Sequence, residues 1–549
     1  MITSKLLLFA FYLSASGYGI LADPLASSFA GSTSTFQFPP EGVSASSDSN
    51  FPDAQDVGFA GPTPTGDEAN SIATAPAVAQ VDSVFPLVES QASDSAPING
   101  SSTSFDIFQH WGSLSPFKSV DSLGVPGSSA RIPDGCSLQQ VHLLHRHGAR
   151  YPASSELPAS FAAALHAAAT NSTGFNASGP LEFLNTWTYK LGAEILTPFG
   201  RSELFNLGIG FRVKYGELLK GFTNLPVFRT TSQERMVDSA LHFSAGFFGV
   251  QSYQSSYRQL IEIESSGFNN TLAPYEICPN ANNDIGNFGF MLGLQWAPRY
   301  LAKAQERLGA YIQGFELGPT ELVSMQQLCA YETVSLGYSA FCDLFTEEEW
   351  KGFAYAADLV FWYSLGPGSP FSAALGKGWV EEMISRLEKN RITNSSSAIN
   401  QTITSNNITF PLDQPIYVDA THDSVLSSIF TTLNFTSFAA SGPLPTDHIP
   451  DNLSYNVNKF VPFGANLVGQ VLSCPASEEP THIRWVLNDA VVPLTGIKGC
   501  TEDSNGLCEL DTFISSMKER LGTIDFDFDC FANYTIPNPD EIIDGRFPK

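Results

Sequence analysis

Arg146-His147-Gly148-Ala149-Arg150-Tyr151-Pro152 places one imidazole between two guanidiniums. Cations on both sides of an imidazole make chemical sense where an anion binds, because arginine forks match the oxygens of a phosphate. They also disfavour the imidazolium, so His147 is expected to stay neutral and nucleophilic even in acid. A neutral imidazole can attack phosphorus and hold the phosphoryl group covalently. Gly148 is expected to let the backbone approach the phosphate closely. The stretch points to phosphoryl transfer in which Arg146 and Arg150 take the role of a metal.

A second group is Thr421-His422-Asp423. It follows an expected strand and opens an expected helix, whose positive end favours anions, a phosphate included. Beside a bound phosphate dianion, Asp423 would hold a proton and could pass it to a leaving alcohol oxygen. A transferring phosphoryl group needs further donors around its equatorial oxygens. Arg229 and Arg235, in Phe228-Arg229-Thr230-Thr231-Ser232-Gln233-Glu234-Arg235, are both candidates. His142, His145 and His147 together suggest a metal. On a strand, however, His142 points away from the other two, and the adjacent guanidiniums would repel a cation. No metal or other cofactor is expected. Gly376-Lys377-Gly378 is not a nucleotide loop, because it lacks the G-x-x-x-x-G-K-[ST] pattern.

The elements that must hold these groups are legible in outline. Ser137 to His145 predicts a strand, with Val141, Leu143 and Leu144 as its apolar content. The reactive loop then sits at the carboxyl end of a strand, the usual ligand position in an open α/β sheet. Helices are predicted over Ala159–Ala169, Thr197–Leu219, Met236–Phe248, Ala297–Gly309, Pro319–Tyr331, Glu347–Tyr363 and Trp379–Asn390. This helical middle has the look of a lobe inserted between the first strands and the later ones. Pro415–Asp419 predicts a strand and Ser424–Leu433 a helix with Val425, Ile429 and Leu433 on one face. His482–Asn488 and Ala490–Leu494 predict a hairpin turning around Asn488-Asp489.

The chain has 549 residues, enough for a large core in two lobes. A formal net charge of −27 and a pI near 4.6 argue against nucleic acid or anionic membranes as partners. An anionic substrate then requires local cationic focusing, or acidic conditions that remove carboxylate charge. Residues 1–22 have the form of a secretory signal: Lys5, an apolar run from Leu6 to Leu13, then small residues to Ala22. That run is shorter than the roughly 20 residues of a spanning helix, and no later segment is long and apolar enough. Residues 23–104 are rich in Ser, Ala, Pro, Gly and Asp, hold no Lys or Arg, and are expected to be a disordered stalk or pro-segment before a globular region at 105–549. The eight cysteines suggest disulfides, and no pair has CxxC spacing. Glycosylation sequons stand at Asn99, Asn171, Asn176, Asn269, Asn394, Asn400, Asn407, Asn434, Asn452 and Asn533. Together these features describe a secreted, extracellular or wall-associated glycoprotein.

Arg146 to Pro152, with the distal Thr421-His422-Asp423, resembles the two motifs of histidine acid phosphatases, and within them secreted fungal phytases. The similarity runs from about Asp106 to Ala532. It is carried further by His110-Trp111-Gly112, by Leu196-Thr197-Pro198-Phe199-Gly200, by Phe341-Cys342-Asp343-Leu344-Phe345 and by Val486-Leu487-Asn488-Asp489-Ala490-Val491-Val492-Pro493-Leu494. The resemblance implies an α/β class fold, a phosphoglycerate-mutase-like sandwich lobe with an inserted, mainly α-helical lobe and the site in the cleft between them. It implies His147 as nucleophile, Asp423 as proton donor, and Arg146, Arg150, Arg235 and His422 as phosphate ligands. The pairings Cys136–Cys474, Cys278–Cys530, Cys329–Cys342 and Cys500–Cys508 are likewise implied by it. One departure bears on substrate. Related phytases often carry lysines just after the first motif, whereas here no Lys or Arg stands between Arg150 and Lys190, and Glu156 does. The expectation is a phosphomonoesterase acting on small substrates such as inositol phosphates. A broader acid phosphatase, a phosphoglycerate-mutase-like transferase and a non-catalytic phosphate-binding wall glycoprotein are the alternatives.

Overall fold

The computed structural model describes residues 33–36, 50–52, 56–58, 61–63, 65–69, 105–153, 156–476 and 479–548. The expected signal at 1–22, Asn99 and most of 23–104 lie outside them. The described strands are β1 Ser34–Phe36, β2 Ser137–Arg146, β3 Asn176–Ala177, β4 Val227–Thr231, β5 Arg258–Glu262, β6 Ile312–Gln313, β7 Ile416–Thr421, β8 Asn466–Ser473, β9 His482–Leu487, β10 Ala490–Val492 and β11 Cys508–Glu509. Nine of them form one sheet in the order β1-β5-β4-β7-β2-β8-β9-β10, with β11 beside β9. Its centre, β5-β4-β7-β2, is parallel, and its flanks are antiparallel. Four carboxyl ends therefore open along one edge of the sheet, where α/β sheets bind ligands.

Alternation along β2 sends its apolar residues to two cores. Val141 and Leu143 join Phe211, Phe243 and Phe247 of helices Pro198–Tyr215 and Glu234–Phe248. Leu144 joins Trp379, Val425, Ile429 and Phe513 of helices Ser372–Glu388, Asp423–Thr432 and Leu510–Leu521. The first two helices, expected in the inserted lobe, thus cover the sheet instead. That lobe is built from Leu157–Thr170, Phe288–Tyr300, Ala302–Gly309 and Pro319–Leu336, around Phe161, Leu165, Leu301, Leu308 and Leu328. Leu301 divides what the sequence predicts as one helix. Gly376 and Gly378 lie inside a helix. A Cβ on Gly376 would come 2.2 Å from Thr432 Oγ1, so this glycine permits close helix packing. The hairpin turns at Asn488 and Asp489, both at positive φ, as a type I′ turn requires.

All four implied disulfides form: Cys136–Cys474, Cys278–Cys530, Cys329–Cys342 and Cys500–Cys508. Seven sequon asparagines are exposed: Asn171, Asn176, Asn269, Asn394, Asn407, Asn452 and Asn533. Asn400 departs from the expectation. It is buried, its amide donates to Thr33, and its Oδ1 caps the Thr402 N–H, which closes it to a glycan in the folded chain. Asn434 is half-buried and its amide donates to Gly496 O.

Parts of the segment expected to be a disordered stalk are packed against the fold. Ser34–Phe36 extends the sheet antiparallel to β5, and Phe51 is buried under the Arg258 guanidinium, 4.9 Å from its ring centroid. An edge strand needs only backbone pairing and a short apolar contact, which a Ser-rich composition does not forbid.

Candidate active site

Arg146 faces Thr421 in the parallel β2–β7 register, so the next residues, His147 and His422, leave the sheet side by side. Their ring centroids are 5.7 Å apart. After His147 the chain lies on the start of helix Pro198–Tyr215. A Cβ on Gly148 would meet Gly200 O at 2.2 Å, and one on Gly200 would meet Ala149 O at 2.0 Å. Gly148 therefore makes room for that helix. His147 Nδ1 donates to Gly148 O at 2.8 Å, which fixes the tautomer and leaves the Nε2 lone pair without a protein partner among the described residues. Burial, then Arg146, Arg235, His422 and Arg150, hold its pKa well below the ordinary histidine value. The imidazole stays neutral in acid, and burial contributes more to this than the flanking cations invoked from sequence.

Each cationic group around His147 rests on a carboxylate. Arg146 donates to Ser113 O at 2.5 Å and Val461 O at 2.8 Å, lies 4.5 Å from the Phe463 ring centroid, and pairs with Asp423 Oδ2 at 2.7 Å. Burial lowers its pKa to about 10, so it remains a cation in acid. Arg150 reaches Glu156 at 3.0 Å, Tyr331 Oη at 3.2 Å and Tyr151 O at 3.0 Å. Burial alone would lower its pKa, but Glu156 and Tyr331 raise it well above the ordinary value. Arg235, the second residue of the helix Glu234–Phe248 that follows β4, pairs with Glu194 at 2.9 Å. His422 Nε2 donates to Glu264 Oε2 at 3.1 Å, while Tyr275 donates to the other carboxylate oxygen at 2.6 Å. Burial opposes the charge on Glu264, yet His422 and these hydrogen bonds keep its pKa below the usual carboxylate value. The Asp423 side chain is 22% exposed against 1% for Arg146, so the carboxylate fronts the cleft.

Six of the sequence candidates, Arg146, His147, Arg150, Arg235, His422 and Asp423, thus stand around one space. The rest lie elsewhere. Arg229 is buried under the sheet, where Asp419 at 2.7 Å, Glu382 at 2.8 Å and Glu262 at 3.2 Å take its guanidinium, and Arg386 shares Asp419. His142 stacks on Tyr417 and His145 on Phe243, and burial lowers them to about 3 and about 4. Among the described residues no group of three or more His, Cys, Asp or Glu is arranged to hold a metal ion. Sequence reading missed Glu194, Glu264 and the carbonyls of Ser113 and Val461. None belongs to a motif, and each is brought in by a different loop.

A neutral histidine among arginines at the carboxyl ends of a parallel sheet, closed over by a helical lobe, defines a phosphate-handling enzyme. The profile of the histidine phosphatase superfamily (branch 2) matches residues 137–488, and the chain belongs to that family as a phosphoric monoester hydrolase. Phytase A of Aspergillus oryzae is 32% identical over 423 residues, 74% of this chain and 87% of its own length. Phytase A of Aspergillus fumigatus is 33% identical over the same shares. The crystal structure of the phytase from D. castellii superposes with a TM-score of 0.65 and 26% identity, covering 81% of this chain and 92% of that one. The Bifidobacterium longum multiple inositol polyphosphate phosphatase, solved with inositol hexasulfate, shares the fold at a TM-score of 0.52 and 12% identity.

Proposed function

We propose that the chain is a secreted acid phosphatase of the phytase type, hydrolysing phosphomonoesters of inositol hexakisphosphate through a phosphohistidine on His147. The observation that carries this is the unpartnered Nε2 of a buried, neutral His147 next to Arg146, whose guanidinium holds Asp423. Arg146, Arg150, Arg235 and His422 bind the equatorial oxygens of one phosphoryl group. His147 Nε2 forms a bond to phosphorus as the ester P–O bond breaks. The proton of the Asp423 carboxyl passes to the leaving alcohol oxygen. Water then attacks the N–P bond, gives a proton back to Asp423, and inorganic phosphate leaves with His147 restored. Phosphate entering beside Arg146 competes for the guanidinium that Asp423 holds in the free site, which lets the carboxyl carry that proton. Phytases among the relatives support the substrate class, and four disulfides support an extracellular setting.

A second reading, an acid phosphatase with little preference for polyphosphorylated rings, is favoured by one contact. Glu156 occupies Arg150, and no Lys or Arg follows until Lys190.

The test is rapid quenching in alkali of the full chain mixed with 32P-labelled substrate at about pH 5. The unmodified protein should trap label in acid-labile, base-stable form. His147→Ala should trap none and release no phosphate. Full activity in His147→Ala would sink the mechanism.

A further inference from the structure

Thr63, Gly66, Asp67, Glu68 and Ala69 lie outside the phosphate site, yet each of their polar contacts ends beside one of its members. Thr63 N–H donates to Ser232 O at 2.6 Å, its carbonyl accepts from Glu234 N–H at 3.2 Å, and its hydroxyl meets Ser232 Oγ at 2.9 Å. Glu234 opens the helix on which Arg235 is the second residue, so Thr63 O satisfies one of that helix's first-turn N–H groups. Ser232 Oγ also accepts from the N–H of Glu264, the residue that holds His422.

Asp67 and Ala193 exchange two backbone hydrogen bonds, at 3.1 and 2.9 Å. Ala193 precedes Glu194, the partner of Arg235, and Glu194 sits at φ 65°, a conformation that a side chain disfavours and that neighbours must hold. The approach is close on both sides. A Cβ on Gly66 would come 1.8 Å from Ala193 O, and one on Gly192 would come 2.3 Å from Asp67 O. Glu68 accepts from Tyr151 Oη at 2.7 Å and pairs with Arg201 at 3.2 Å, and Tyr151 is the residue after Arg150. Ala69 is 1% exposed in the core of the helical lobe. A run that begins at the sheet and ends in that lobe therefore clamps the loops of Arg150 and Glu194 and the start of the helix that carries Arg235.

We propose that Thr63 and residues 65–69 act as a positioning strap that sets Arg235 and Arg150 for phosphate. None of these residues touches the reacting atoms. They fix the backbone of the loops from which the arginines and their carboxylates project, so their effect falls on phosphate affinity more than on the chemical step. This rests on the phosphate-site reading above.

The test uses the full chain carrying Gly66→Val, whose side chain must push the strap off Ala193. Inorganic phosphate affinity is measured by calorimetry, and KM and kcat with 4-nitrophenyl phosphate. Phosphate Kd and KM should both rise about tenfold, roughly 1.4 kcal/mol of lost positioning, while kcat changes by no more than ~threefold. In an Arg235→Ala background the same substitution should add nothing further. Unchanged phosphate affinity in folded Gly66→Val, or an effect fully additive with Arg235→Ala, overturns the proposal. Should Gly66→Val not fold, Glu68→Ala keeps the main-chain pairs and frees Tyr151 and Arg201. It should weaken phosphate by ~threefold, and no weakening overturns the proposal. Phosphate titration reads the strap without turnover, so an inactive unmodified protein would sink only the catalytic reading.

Discussion

At the residue scale, each arginine of the site is held by its own carboxylate, and one of these pairs bears on the proposed substrate. Glu156 spends its charge on Arg150, accepts from Ala153 N–H at 2.9 Å, and accepts from Tyr331 at 2.5 Å. Removing that charge while keeping the shape should leave Arg150 freer to bind anions. Glu156→Gln is therefore expected to lower KM several-fold for inositol hexakisphosphate and less for 4-nitrophenyl phosphate. Initial rates on both substrates check it, and a ratio that does not move refutes it. The reacting residues were readable from sequence because Arg146, His147 and Arg150, and again His422 and Asp423, are neighbours along the chain. Their supports were not, since Glu194 and Glu264 lie far from both motifs and gain meaning only from strand register.

At the element scale, the aim of His147, the proposed nucleophile, depends on how tightly its loop sits on the helix Pro198–Tyr215. Gly200→Ala puts a Cβ 2.0 Å from Ala149 O, against backbone that cannot swing aside. The expected cost is ~1–3 kcal/mol of stability with a larger fractional loss of kcat, because Ala149 is two residues from His147. Thermal melts and kcat together test this, and a variant with the unmodified melting temperature and rate would refute it. Helices with an apolar face, such as Asp423–Thr432, were legible from periodicity, as was β2. The strands β4, β5 and β8 were not. Val227–Thr231 is buried at every position and carries Arg229, so it shows neither alternation nor an apolar run. The 372–388 helix was read short because two glycines, of which Gly376 lies against the helix Asp423–Thr432, look like loop residues.

At the scale of the whole molecule, buried acids make the fold favour acid. Burial pushes Glu203 and Glu276 up to about 7, and Glu262 and Asp358 up to about 8. In the unfolded chain such groups titrate near pH ~4. Between those values these four carboxyls bind more protons in the folded chain than in the unfolded one, so their contribution is complete below ~4 and falls as pH rises to about 8, while His142, His145 and His147, held below the ordinary histidine value, oppose it at the acid end. Asp419 and Glu264, held low by Arg229 and His422, act in the opposite sense and lose their contribution only in stronger acid. Calorimetry should find a higher melting temperature at pH 5 than at pH 8, and the reverse order would refute the assignment. The cross-links carry a further consequence. Cys136–Cys474 spans 338 residues and Cys278–Cys530 spans 252, and the two spans overlap. A single cut by a protease anywhere from Cys136 to Cys530 therefore leaves both fragments joined by at least one bridge. The halves of the catalytic cleft, His147 on one side and His422 with Asp423 on the other, stay covalently tethered after nicking until the bridges are reduced.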